Sequence, residues 1–71
     1  MKYMVVVEEG PSSWGAHVPD LPGCIAVGES REETLELIRE AIALYIEDLQ
    51  EQGLDVPAAN SVSAYVETTA A

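Results

Sequence analysis

Cys24 and His17 are the side chains that could do covalent chemistry, since a thiol and an imidazole on neighbouring strands become nucleophile and base within hydrogen-bond reach. Cys24 follows a Pro-Gly turn, and no glycine-rich cradle or helix start comes directly after it to lower its pKa. It therefore reads as a small buried hydrophobe. Magnesium-assisted phosphoryl chemistry would need paired carboxylates, and Glu32, Glu33, Glu36, Glu40, Glu47, Asp48 and Glu51 crowd one stretch. Their spacing is that of the solvated face of a helix. One His and one Cys fall short of a transition-metal set, and the acids lack the loop spacing of a calcium site. No phosphate loop, dinucleotide fingerprint or Gly-x-Ser-x-Gly elbow is present. The expectation is a non-enzyme with no catalytic, cofactor-binding or metal residues.

The elements that would position these side chains can be read along the chain. Tyr3 to Glu8 is β-branched and apolar, and Gly10-Pro11-Ser12-Ser13 closes it, which predicts a strand and a hairpin turn. Trp14 to Val18 alternates, placing Trp14 and Val18 on one face and His17 on the other. Pro19-Asp20-Leu21-Pro22-Gly23 is a kinked connector, and Cys24 to Val27 a short third strand. Ser30-Arg31-Glu32-Glu33 is a capping box opening a helix over residues 31 to 52, with Gly53 as its stop. Leu35, Ile38, Ile42, Tyr45 or Ile46, and Leu49 make its core stripe, and Leu37, Ala41 and Leu44 a second apolar flank suited to a contact between copies. At 1.5 Å per residue this helix would run about 33 Å, longer than a small sheet can cover. Val62, Ala64 and Val66 alternate with Ser63, Tyr65 and Glu67, which predicts a last strand, and the crossover to it through the helix allows one parallel pairing, right-handed if the third and last strands are neighbours. The result is an α+β fold of order β-β-β-α-β, with one long helix on one sheet face. It forms a single domain over residues 1–67 with a short tail at 68–71.

Composition narrows the class. The 71 residues are 48% hydrophobic and 23% charged, which is too apolar for intrinsic disorder. No apolar run approaches a membrane span or a secretory leader, so a cytoplasmic protein with no membrane contact is expected. A lone Cys agrees with a reducing compartment. Thirteen Asp plus Glu against three Lys plus Arg give a net charge of −10. Such a surface repels phosphate backbones and favours encounter with a basic protein. Trp14, beside a surface turn in a chain with no Phe, is expected to cap the sheet core, the other role open to it being a partner anchor.

The string Pro19-Asp20-Leu21-Pro22-Gly23-Cys24, followed by Gly28-Glu29-Ser30 and by Glu32-Glu33 at the start of a long helix, resembles the HicB family of antitoxins over about residues 1–66. Glu29 and Ser30 stand where Asp and Thr are common in that family, and Thr34 where Ala is usual. The resemblance implies a partial ribonuclease-H-like fold lacking that enzyme's catalytic carboxylates. It also implies a partner, HicA, a small basic toxin with a double-stranded-RNA-binding-like fold that cleaves mRNA with a histidine. Family members often add a helix-turn-helix or ribbon-helix-helix that binds operator DNA. This sequence closes with Glu67-Thr68-Thr69-Ala70-Ala71, so nucleic-acid binding by the chain alone is not expected. The expected function is neutralisation of a HicA-type toxin, with Trp14, His17 and Glu29 as candidate partner contacts and a homodimer or larger assembly. The alternative is a solitary domain of the same fold that binds another protein or ligand, with no toxin.

Overall fold

The computed structural model describes residues 1–69, so two residues of the expected 68–71 tail lie outside it. Three strands, β1 (Val6–Glu9), β2 (Trp14–His17) and β3 (Ile25–Gly28), precede one helix, α1 (Arg31–Glu51). The sheet is antiparallel in the order β1-β2-β3. Val6 stands opposite His17 and Glu9 opposite Trp14, while on the other side of β2 Trp14 faces Gly28 and His17 faces Ile25. The β1-β2 turn is closed by the Gly10 N–H donating to the Ser13 carbonyl at 2.7 Å. β1 and β2 are shorter than the runs that predict them, since only four residues of each find a partner, and β3 keeps its four-residue length but sits one residue later.

The helix packs against β3 and β2 and, less, against β1. Its start is the capping box with a variation. Ser30 is the N-cap, and its Oγ accepts from the Glu33 N–H at 3.0 Å. The Glu33 carboxylate reaches back one residue further than usual, to the Glu29 N–H at 2.7 Å. The end is a Schellman motif. Gly53 takes φ 71°, its N–H donates to the Gln50 carbonyl, and the Leu54 N–H donates to Leu49. Twenty-one residues give a length of about 31 Å. The Tyr45 hydroxyl donates to the Pro22 carbonyl at 2.9 Å, so the last helical residues project past the connector at the sheet end.

Between sheet and helix lies the core: Ala16, Val18, Leu21, Cys24 and Ile38 are buried, and Tyr3, Val5, Val7, Ala26, Leu35, Ala41, Ile42 and Tyr45 pack around them. Gly28 is buried where α1 begins. A Cβ there would come within 2.6 Å of Thr34 Oγ1 and 2.9 Å of Glu33 Oε1, so the helix start rests directly on the β3 backbone. The wholly buried Thr34 hydroxyl is satisfied by the Ser30 carbonyl at 2.7 Å.

One expectation is corrected. Among the described residues there is no fourth strand and no parallel pairing. From Leu54 to Thr69 the chain is irregular, and Val62, Tyr65 and Val66 are 85%, 100% and 82% exposed. Alternation marks a segment able to form a strand, but a strand also needs a neighbour for its backbone, and here the route is set by two tethers. The Tyr3 hydroxyl holds the Pro57 carbonyl, and Asp20 holds Ser61. These fix the segment at Tyr3, ahead of β1, and at the connector between β2 and β3.

Candidate functional site

The Pro19 to Cys24 connector is held at several points along its length. Leu21 is fully buried, its N–H donates to the Val18 carbonyl, and the Cys24 N–H donates to the Leu21 carbonyl, both at 3.0 Å. Gly23 turns the chain at φ 81°, which a side chain rarely tolerates. Asp20 accepts from the Ser61 N–H at 2.9 Å and from its hydroxyl at 2.8 Å. Those donors, the backbone N–H first, hold the Asp20 carboxyl below its ordinary range. Pro22 supplies the carbonyl that receives Tyr45. The connector is thus a structural latch joining the sheet, the helix and the C-terminal segment. Gly28, Ser30 and Glu33 do the same for the other end of the sheet, at the helix start.

Cys24 and His17 do not form a pair. Cys24 lies in the core, and burial pushes its thiol pKa up, away from reactivity. His17 is exposed on the opposite face of the sheet, in register with Ile25 and Val6. Among the described residues no three His, Cys, Asp or Glu side chains converge as a metal site, and no helix is long and apolar enough to cross a membrane.

The remaining candidate residues occupy surfaces. Trp14 is half-buried and stands outside the packed core, so it does not cap the core as expected. The reason is its register: it faces Gly28 at the last position of the ladder, beyond the buried Ala16 and Val18. Exposed Glu29 follows Gly28, so Trp14 and Glu29 lie at one end of the sheet while His17 sits at the other, about 10 Å along β2. Of the helix flank, Ala41 is spent on the core, Leu37 is half-buried and Leu44 is 66% exposed. The sequence reading missed the outer face of the sheet. Ile25 and Val27, alternating with the inward Cys24 and Ala26, are 65% and 63% exposed, and they flank His17 and Gly15 across the ladder. The period-two pattern carried that signal, but with both faces apolar it gave no sign of which one the helix would cover.

Known proteins share this arrangement. Residues 3–70 match the model of the HicB-like antitoxin of bacterial toxin-antitoxin systems. The chain is 37% identical to a UPF0150 protein of Thermoplasma acidophilum, over 86% of this chain and 90% of that one. It is 43% identical to a UPF0150 protein of Helicobacter pylori, over 87% and 88%. An uncharacterised 14.9 kDa protein of Haemophilus phage HP1 is 30% identical over 93% of this chain, which spans only 50% of that relative's length. Among solved structures, the N-terminal domain of the Burkholderia pseudomallei antitoxin HicB superposes with a TM-score of 0.72 at 36% identity, covering 82% of this chain and 69% of that one. With the connector latch, the capped helix on a three-stranded sheet and these matches together, the chain belongs to the HicB-like antitoxin family of bacterial toxin-antitoxin systems.

Proposed function

We propose that this chain neutralises a small basic HicA-type, mRNA-cleaving toxin by binding and occluding it. The observation that carries the reading is a net charge of −10 on a family member whose outer sheet face leaves Ile25 and Val27 open to solvent. The charge accelerates encounter with a cationic partner, and the apolar patch holds it. Of the three candidate contact residues, His17 shares this face with Ile25 and Val27, Glu29 follows at the end of β3, and Trp14 alternates onto the helix-side face at the margin of the sheet. The chain works in the cytoplasm, stoichiometrically rather than as a catalyst: its thiol is buried and its imidazole stands on the other face of the sheet. Nor does the acidic surface bind nucleic acid unaided.

Co-expression with the small basic reading frame beside its own gene tests this. Growth is restored and the two products co-purify, and raising salt to near-molar slows association more than it speeds dissociation. Ile25→Glu and Val27→Glu, at exposed positions, leave the circular dichroism unchanged and raise the dissociation rate roughly tenfold or more. Absence of both rescue and co-purification rejects the toxin reading in favour of a solitary domain with another ligand.

A further inference from the structure

An open groove of about 440 Å³ lies between the chain leading into β1 and the first half of α1. Tyr3 and Val5 line one wall. Leu35, Arg39 and Ile42, spaced by four and three residues on one helix face, line the other, with the buried Ile38 at the base. The Tyr3 hydroxyl is held by the Pro57 carbonyl, which fixes the first wall, yet none of residues 54–69 lines the groove. Each wall supplies one cation, Lys2 from the first and Arg39 from the second. In a chain of thirteen acids and three cations, two of the cations line this groove and none of the acids does. We propose that the groove binds a small amphipathic anion, with a single carboxylate head between Lys2 and Arg39 and an unbranched hydrocarbon tail along Leu35 and Ile42.

Charge selects this occupant over larger anions. A net charge of −10 repels a ligand in proportion to the ligand's own charge. A nucleic acid, an anionic membrane or an acidic protein extends past the groove, over the helix surface where Glu32, Glu36 and Glu40 are exposed. A monoanion confined to the groove meets the two cations at contact, and acids farther off are screened over about 8 Å at physiological salt. Size agrees, since the volume falls within the roughly 300–1,000 Å³ of small-molecule sites. The apolar walls favour a tail, and the paired cations favour a negative head over a neutral or positive one. This site does not depend on the toxin reading, because it lies on the helix side of the sheet and Ile25 and Val27 lie on the outer face.

Decanoate below its micellar concentration is the probe, titrated into the ¹⁵N-labelled full-length chain without any partner protein. It gives saturable amide shifts centred on residues 1–5 and 35–42. From octanoate to dodecanoate, each added methylene tightens binding about two- to fourfold. Lys2→Gln and Arg39→Gln, both at exposed positions, leave the circular dichroism unchanged and each weaken decanoate binding about two- to fivefold. Neither variant alters the weaker binding of uncharged decyl glucoside. Decyltrimethylammonium leaves the groove amides unshifted. Shifts that do not saturate, shifts centred on the outer sheet face, or variants that bind decanoate as the wild type does would each overturn the proposal. So would decyltrimethylammonium shifting the same amides, or capture of the chain by phosphatidylglycerol vesicles, which would assign the groove to a membrane surface.

Discussion

At the scale of single residues, two positions set the joints of the molecule. Gly28→Ala would drive a Cβ against Thr34 Oγ1 at 2.6 Å and the Thr34 N–H nitrogen at 3.1 Å, and Thr34 is fully buried with nowhere to go. A loss of about 1–3 kcal/mol in urea unfolding is expected, as for overpacking generally. Asp20 is the pH-sensitive joint. Its carboxyl titrates below the ordinary value of 3.8 because Ser61 donates to the charged form. Its contribution is thus present above that value and lost as pH falls through the lower, folded one. Asp20→Asn lowers the melting temperature at pH 6, and the gap to wild type closes as both are acidified below about pH 4. A gap of constant size down to pH 2 would show that the Ser61 bonds do not depend on ionisation. Cys24, buried with a raised pKa, should react with a thiol reagent only at the rate of global unfolding. Ser30 and Glu33 were legible in the sequence because a capping box is local. The Asp20 to Ser61 bonds were not, since 41 residues separate the partners and nothing in either neighbourhood points to the other.

At the scale of elements, what could be read was whatever depends on period and punctuation. Three strands, the connector and the helix fall within a residue or so of their expected limits, apart from the late start of β1 at Val6. The fourth strand failed for a different reason. Residues 62–66 have the composition of a strand, but pairing is a relation between two segments, and neither open edge of the sheet takes them as a partner. The outer sheet face was illegible on similar grounds, since Ile25 and Val27 are as apolar as the side chains that the helix covers. The helix stop depends on a left-handed residue. Gly53→Ala, at φ 71°, should cost about 1 kcal/mol. Hydrogen exchange should show the loosening in the last turn, where Glu47, Asp48 and Glu51 crowd the negative end of the helix with no base in that turn.

At the scale of the molecule, the net charge of −10 on 71 residues works against compaction. Raising sodium chloride from about 10 mM to 0.5 M, where the screening length falls from 30 Å toward 4 Å, should raise the melting temperature at pH 7. A fall would mean that specific ion pairs outweigh the general repulsion. The order β1-β2-β3 matches the order in sequence, and the helix packs against the strand that directly precedes it. Folding therefore needs only short loop closures, and the chain should fold on the submillisecond to millisecond scale of small domains rich in local contacts. The tether between Tyr3 and Pro57 spans 54 residues and closes late, after the loop entropy of the rest has been settled. Tyr3→Phe and Asp20→Asn should accordingly leave the folding limb of the chevron where it is and steepen escape from the native state, changing the unfolding rate alone.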